Sequence, residues 1–186
     1  MEVNSSLCRF RSSTSNINMA KTFLIADTHF GHANILNFKK ADGSLLREGF
    51  SDTKEHDAKL IYYWNSVVNP EDKVYHLGDV GFTNFTHIKR IFDALNGTKV
   101  LIKGNHDNFR INQYAQIFKD VRATHILDKF ILSHIPIHPE SLSRWKANIH
   151  GHVHANSLED KRYINVSVEA IDYTPVDFDV IREKHG

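Results

Sequence analysis

The chain has 186 residues, of which 41% are hydrophobic, enough for one globular domain with a buried core. Lys and Arg number 23 against 22 Asp and Glu, and the resulting net charge of +1 gives no support for nucleic acid as the main partner. The single cysteine, Cys8, excludes an intrachain disulfide and favours a reducing, cytoplasmic setting. No apolar stretch approaches the length of a membrane span, so we expect no membrane partner.

The N-terminal segment, residues 1–20, is polar and rich in Ser and Asn, and it lacks the apolar centre of a secretory signal. We therefore predict a flexible extension over residues 1–20, with Met19 as a candidate start of the native protein. The folded domain is predicted to span residues 21–186, without an internal repeat or a second-domain boundary.

The first half of the chain alternates predicted strands with predicted helices. Apolar runs predict strands over residues 22–26, 74–77 and 99–105, and periodic apolar residues predict helices that begin after Asp52, after Asn84 and at Phe109. Residues 41–50 are polar with two glycines and are predicted to form a surface loop. This alternation favours right-handed βαβ units and a largely parallel sheet.

The second half of the chain has consecutive strands without long helices between them. Strands are predicted over residues 122–127, 129–133, 147–150 and 163–170, with a loop over 136–144 and one or two helical turns after 176. This order favours a second, more antiparallel sheet. We expect an α/β fold in which two sheets pack face to face, with helices outside.

Polar side chains that bind metals follow five of the apolar runs. In the third run, Gly104 is expected to allow a sharp turn before Asn105, His106 and Asp107. Because the carboxyl ends of strands are where sites assemble in α/β sheets, we expect these groups to converge. The residues concerned are Asp27 and His29, Asp79, Asn105 and His106, His134, and His152 and His154.

The donor types and their spacing indicate a metal centre. Asp-x-His and His-x-His place both side chains on one face of an extended segment. The set offers only nitrogen and oxygen donors, which suits Mn, Fe, Zn, Co or Ni. Two cations about 3.5–4 Å apart can clamp a phosphoryl group and supply a hydroxide nucleophile. Hydrolysis of a phosphate ester requires both.

These stretches, in this order, resemble the five motifs of the calcineurin-like metallophosphoesterase superfamily. The resemblance extends from Lys21 to His154, and the run of residues 27–32 is similar to small single-domain bacterial and phage members. The motifs are Asp27-Thr28-His29, Gly78-Asp79, Gly104-Asn105-His106-Asp107, Ser133-His134 and Gly151-His152-Val153-His154.

The resemblance implies a four-layer αββα sandwich of two mixed β-sheets flanked by helices. It implies two divalent metal ions, Mn first, with Zn, Fe, Ni or Co as alternatives, and a bridging role for Asp79. The expected reaction is attack of a metal-activated hydroxide on a phosphodiester or phosphomonoester of a small nucleotide-like substrate. The implied ligands are Asp27, His29 and His154 for the first ion, and Asn105, His134 and His152 for the second.

The same resemblance assigns the proton chemistry. His106 would protonate the leaving alkoxide as a general acid, and Asp107 would orient His106. His32 would contact the substrate phosphate or, as an alternative, only begin the following helical turn.

Differences from the family motifs argue against two branches of the superfamily. Protein phosphatases of the superfamily end the third motif in Glu, where this chain has Asp107, and purple acid phosphatases have a ligating Tyr where this chain has Phe82. Two other functions stay open: a non-catalytic scaffold on the same fold, and a nuclease, which the near-zero net charge does not favour. Intact ligand positions and an intact His106 favour the enzyme.

The remaining histidines divide into two groups by position. His76 and His150 lie within predicted strands and are expected to support the core or the site. Five others are expected at the surface: His56, His87, His125, His138 and His185.

Overall fold

The structure, a computed structural model, describes residues 19–185, so the predicted extension over residues 1–20 lies outside the described residues except for its last two. Within residues 19–185 every helix is too short or too polar to cross a lipid bilayer. The helices are α1 Thr53–Val67, α2 Phe85–Ala94, α3 Ile111–Tyr114 and α4 Phe178–His185. The strands are β1 Thr22–Ile25, β2 Lys73–His76, β3 Thr98–Ile102, β4 Asp120–Arg122, β5 Thr124–Leu127, β6 Phe130–Ser133, β7 Ala147–His150, β8 Tyr163–Asn165 and β9 Val176–Asp177.

The strands form two mixed sheets. The larger sheet has the order β4-β3-β2-β1-β9, with β1 to β4 parallel and β9 antiparallel to β1. The smaller sheet has the order β5-β6-β7-β8, and only its β5–β6 pair is antiparallel. The second sheet is therefore more parallel than predicted, because residues 134–146 and 151–162 are long enough to act as crossover connections without long helices.

The two faces of the larger sheet pack against different layers. On β1, Phe23 and Ile25 lie in one core cluster with Trp64 of α1 and Phe92 of α2. Leu24, between them, belongs to the other cluster, which it shares with apolar side chains of the smaller sheet. This alternation is the period of two of a β-strand, and it buries the larger sheet on both sides. The predicted α/β sandwich is confirmed.

Two predicted strands have different bounds in the structure. Residues 122–127 are not one strand, because the chain leaves the larger sheet at Arg122 and enters the smaller sheet at Thr124. The strand predicted over 163–170 ends at Asn165, where the side chain accepts hydrogen bonds from Ser167 N and Oγ. Ser167 then pairs with Ala26 of the larger sheet, and a 3-10 turn, Val168–Ala170, follows.

The loops that follow the strands meet at one edge of the sandwich. The backbone N–H of Asp27 donates to Gly78 O at 3.0 Å, and that of His29 donates to Asp79 O at 3.1 Å. Within the smaller sheet, Gly151 N donates to His134 O at 3.0 Å, and across the two sheets His134 Nδ1 lies 2.7 Å from Leu77 O. The parallel strand order therefore brings together the loops that carry the predicted metal ligands.

Candidate metal centre

Five predicted ligands have left-handed backbone conformations. Non-glycine residues avoid this region, and each such residue costs on the order of 1–3 kcal/mol, so they persist where the surroundings impose them. Such residues cluster at functional sites, and here they occupy one edge of the sandwich. The φ angles are 58° for Asp27, 48° for His29, 56° for Asp79, 72° for His152 and 53° for His154.

Asp27, His29 and His154 form a first group of donor atoms, all within 4.8 Å of one another. His29 Nε2 lies 3.9 Å from Asp27 Oδ1, and both atoms are buried without a hydrogen-bond partner among residues 19–185. Leaving a buried polar atom unpaired costs about 1–3 kcal/mol, so two such atoms side by side fit a cation-binding position. The donor set fits the metal that the sequence predicts.

The protonation of this group also suits a cation. Asp27 Oδ2 accepts hydrogen bonds from His152 N and Ser167 Oγ, each at 2.8 Å, which leaves Oδ1 as the free oxygen. Burial raises the pKa of Asp27 to about 6 in the metal-free protein. Burial, aided by the charge of Arg47, lowers the pKa of His29 to about 2, so its imidazole is neutral and keeps a lone pair for a ligand bond.

A second group forms around His134. Its Nδ1 lies 2.7 Å from Leu77 O and so carries a proton, which makes Nε2 the atom that would bind a cation once that nitrogen is deprotonated. Nε2 lies 2.8 Å from Asn105 Oδ1 and 3.4 Å from Asp79 Oδ2, and the His152 ring centroid is 5.1 Å from that of His134. The structure thus brings together the residues predicted to hold the second ion.

Asp79 lies between the two groups. Its Oδ2 is 3.8 Å from His29 Nε2 and 3.4 Å from His134 Nε2, and its Oδ1 accepts from His106 N at 2.9 Å. Burial favours the protonated form, but the hydrogen bond and charge of His134 outweigh it and lower the pKa of Asp79 to about 2. The carboxylate is therefore ionised and placed as a bridge requires.

Gly104 provides space for Asp79. A Cβ at Gly104 would collide with the Asp79 carboxylate and would lie 2.6 Å from Asp79 N. The chain does turn here, since Asp107 N donates to Gly104 O at 3.4 Å, but the φ of Gly104 is not in the left-handed region, so the close approach of Asp79 rather than the turn requires a glycine. Gly151 has a similar role, because a Cβ there would collide with Asp27 Oδ2.

Asp107 has a different role from the predicted one. Its carboxylate accepts from Gly104 N at 2.7 Å, Asp79 N at 2.9 Å and Val80 N at 3.0 Å. Among residues 19–185 it makes no hydrogen bond to the His106 imidazole, so the orienting role is corrected. Asp107 instead holds the loop after β3 against the loop after β2.

One side of the centre is open to solvent. Asp27 and Asp79 are buried, whereas Asn105 and His106 are exposed. The His106 ring lies beside Phe82, with a centroid distance of 4.9 Å. His106 therefore stands at the open rim of the centre.

His32 joins the same rim. Its ring stacks on Phe82 at 4.2 Å, and its Nδ1 lies 3.2 Å from His29 Nδ1. It also precedes the 3-10 turn Ala33–Asn37, but its side chain makes no capping hydrogen bond. The side chain is therefore free to face a ligand at the centre.

A cavity of about 610 Å³ adjoins the centre at His154. Its lining includes Phe38, Lys39, Lys40 and Asn156. The cavity thus offers positive charge and an aromatic ring beside the predicted metal ligands.

Three residues near the centre have environments that the sequence did not predict. Arg47 is 1% exposed although it lies in the predicted surface loop, and His56 is buried rather than at the surface. The Glu169 side chain is 3% exposed, and its Oε1 lies 3.0 Å from His154 Nδ1. Two weak indications of these environments are present in the sequence. The loop around Arg47 is long, and Glu169 is an acidic residue within an apolar pattern. His76 and His150 are buried, as predicted.

Comparison with known proteins gives relatives but no activity. No family model matches the chain. The uncharacterized protein MJ1445 of Methanocaldococcus jannaschii is 37% identical over 174 residues, which cover 89% of this chain and 91% of that protein. The gene 66 protein of Mycobacterium phage L5 is 27% identical over 190 residues, covering 82% and 88%. The crystal structure of AQ665, a protein of unknown function from Aquifex aeolicus, matches with a TM-score of 0.67 and 26% identity over 89% of this chain and 99% of that one.

Proposed function

The chain belongs to the same family as protein MJ1445 of Methanocaldococcus jannaschii, and we propose that it is a dinuclear-metal-dependent phosphoesterase of the calcineurin-like type. The observation that carries the proposal is the pair of buried, unpaired donor atoms, Asp27 Oδ1 and His29 Nε2, beside a carboxylate that reaches both donor groups. A pair of divalent cations supplies Lewis-acid activation of water and neutralises the charge of a phosphoryl group.

The division of the ligands between the two positions follows the family resemblance, and Asp27 lies within 4.8 Å of Asp79 and His134 as well as of His29 and His154. Asp79 faces both groups. Nitrogen and oxygen donors without a thiolate support Mn, with Zn, Fe, Ni or Co as alternatives. Asp27, His29 and His154 would hold one ion, and Asn105, His134 and His152 the other.

The acid is assigned to His106. Its backbone N–H donates to Asp79, which fixes the main chain while the side chain stands at the exposed rim. An imidazole there can give a proton to the alkoxide that leaves from phosphorus, a contribution of about 10²–10⁴-fold in rate.

The substrate is proposed to be a small phosphate ester with a planar group, such as a nucleotide. Lys39 and Lys40 would attract its negative charge, and Phe38 offers a face for stacking. His32 stacks on Phe82 and contacts Phe38 edge-on, and it would contact the phosphate or its ester group.

The direct test is hydrolysis of bis(p-nitrophenyl) phosphate and p-nitrophenyl phosphate by protein stripped of metal and reloaded. We expect turnover with Mn²⁺ and none in excess EDTA. A screen of cyclic nucleotides, nucleoside diphosphate derivatives and simple monoesters then identifies the substrate class. Absence of turnover with Mn²⁺, Ni²⁺, Co²⁺ and Zn²⁺ alike would support a non-catalytic scaffold instead.

A further inference from the structure

Arg47 is a fully paired buried cation behind the metal centre. Its Nε donates to Glu169 Oε1 at 2.8 Å, its Nη1 to Thr28 O at 3.0 Å and its Nη2 to Asp27 O at 2.5 Å. Arginine is seldom this buried, and removing it from water costs several kcal/mol unless its donors are satisfied. The fold therefore keeps Arg47 inside for a specific set of contacts.

The hydrogen bonds around Arg47 have determined directions. Nη1 also lies 2.8 Å from His56 Nε2, and since a guanidinium only donates, that nitrogen accepts. The His56 proton is then on Nδ1, which donates to Asp57 Oδ1 at 3.1 Å. The Asp57 carboxylate also accepts from Gly31 N at 3.0 and 3.1 Å. These hydrogen bonds thus hold the backbone at Gly31, two residues after His29, against α1.

Arg47 holds the turn that presents two of the predicted ligands. It binds the carbonyl oxygens of Asp27 and Thr28, and the φ angles on either side are 58° at Asp27 and 48° at His29. A bound guanidinium stabilises carbonyl groups in an unfavourable backbone conformation, because it offsets the strain with charge-assisted hydrogen bonds.

Glu169 connects Arg47 to a third ligand. Its Oε1 accepts from Arg47 Nε at 2.8 Å and lies 3.0 Å from His154 Nδ1. An Nδ1–H that donates to this carboxylate leaves the lone pair of Nε2, on the opposite side of the ring, for a cation. A carboxylate in this position fixes the tautomer and the orientation of a ligating histidine.

We propose that Arg47 and Glu169 are positioning residues that set the cation affinity of the position formed by Asp27, His29 and His154. Their contacts reach each of these three residues or its backbone neighbour, and none reaches Asn105, His134 or His152. The inference rests on the proposed function, because it requires that the centre binds cations. It predicts that the cation affinity of this position can change while the affinity of the other position does not.

The experiment measures Mn²⁺ binding by titration calorimetry and by metal analysis after dialysis. Glu169→Ala removes the acceptor and the charge, and we expect about 100-fold weaker binding at one position. Glu169→Gln keeps an acceptor oxygen, and we expect recovery to about 10-fold, within the range for partners of metal ligands. Binding at the other position stays unchanged. Glu159→Gln, at an exposed glutamate, is the matched control and keeps both affinities.

A double-mutant cycle tests the route through His154. Glu169→Ala should cause a clearly smaller loss in a His154→Ala background, because much of its effect passes through that ring and only the contact with Arg47 remains. Additive losses, equal losses at both positions, or wild-type binding in a folded Glu169→Gln protein would each overturn the inference. Circular dichroism in EDTA establishes that the variants fold, and Glu169→Gln decides the question if Glu169→Ala does not. A wild-type protein that binds no Mn²⁺ would instead overturn the proposed function, and the inference with it.

Discussion

Single residues at the centre combine unfavourable backbone geometry with tight space. His29 and Asp79 have φ angles of 48° and 56°, and a Cβ at Gly104 or Gly151 would collide with a predicted ligand. Such features lower stability and are kept where the surroundings over-determine them. They concentrate at the loops that the sequence indicates as metal-binding.

Gly104→Ala should damage the centre through Asp79. The added methyl collides with the carboxylate that faces both donor groups, so we expect weaker Mn²⁺ binding at both positions and a loss of about 1–3 kcal/mol in the free energy of unfolding. Metal analysis and urea unfolding measure the two effects. Gly43→Ala is the control for metal binding only, since a Cβ there meets nothing within 4 Å but the φ of +85° strains any side chain and so lowers stability by itself. Equal metal content in Gly104→Ala and wild type would contradict the role of this glycine.

His106→Asn should separate proton transfer from metal binding. We expect turnover to fall by about 10²–10⁴-fold on an ester with a poor leaving group, while Mn²⁺ content stays at the wild-type value. The effect should shrink on p-nitrophenyl esters, whose leaving group needs less protonation. His185→Asn, at the end of α4, serves as the control. Near-normal turnover of the poor leaving group in His106→Asn would show that another group is the acid.

At the scale of elements, loops rather than helices or strands carry the chemistry. β1, β2 and β3 are parallel neighbours, so the loops after them lie side by side, and β6 and β7 deliver two more from the second sheet. The segment before α1 adds the lysines of the cavity and the buried Arg47.

Reversing the charge of the cavity should weaken substrate binding. The double variant Lys39→Glu, Lys40→Glu should raise KM for p-nitrophenyl phosphate by about 10-fold with little change in kcat, because the lysines attract the phosphate but lie outside the predicted ligand set. The difference should shrink at high ionic strength. Lys184→Glu on α4 is the control. A fall in kcat with unchanged KM would contradict this role.

The sequence predicted the strand ends well and the supporting residues poorly. An apolar run followed by Asp, Asn or His is a local pattern, and the residues after β1, β2, β3, β6 and β7 do converge. The burial of Arg47 was not predicted, because its polar neighbours Asp42 and Glu48 are exposed. Its side chain is buried through contacts with residues distant in sequence, such as Glu169. The role of Glu169 was not predicted, because apolar residues alternate over 163–170 as they do in one strand. In the structure Ser167 instead pairs with Ala26, next to β1, and this pairing has no local sequence pattern.

At the scale of the whole molecule, the two sheets meet through one core, and the candidate metal centre lies across their shared edge. Leu24 and Ile102 of the larger sheet pack with Leu132 and Ile149 of the smaller one. The sandwich follows from the order of elements in the sequence. The parallel pairing of β6, β7 and β8 does not, because it depends on crossover connections whose paths have no local pattern.

Metal removal should lower the stability of the whole fold. Cations that bind only the folded state add about 2.7 kcal/mol at a concentration 100 times the Kd, which corresponds to about 5–10 °C in Tm for a chain of this size. Thermal unfolding in saturating Mn²⁺ and in EDTA measures the difference. Asp79→Asn should show a much smaller shift. Equal Tm values for wild type in both conditions would contradict cation binding at this edge of the sandwich.

We propose that side chains from five loops hold two cations on either side of Asp79. A crystal structure of the Mn²⁺-soaked protein, with anomalous data near the manganese edge, is the decisive test. We predict two anomalous peaks, one contacted by Asp27, His29 and His154 and one by Asn105, His134 and His152, with Asp79 touching both. No peak at this edge, or a single peak that does not contact Asp79, would contradict the account.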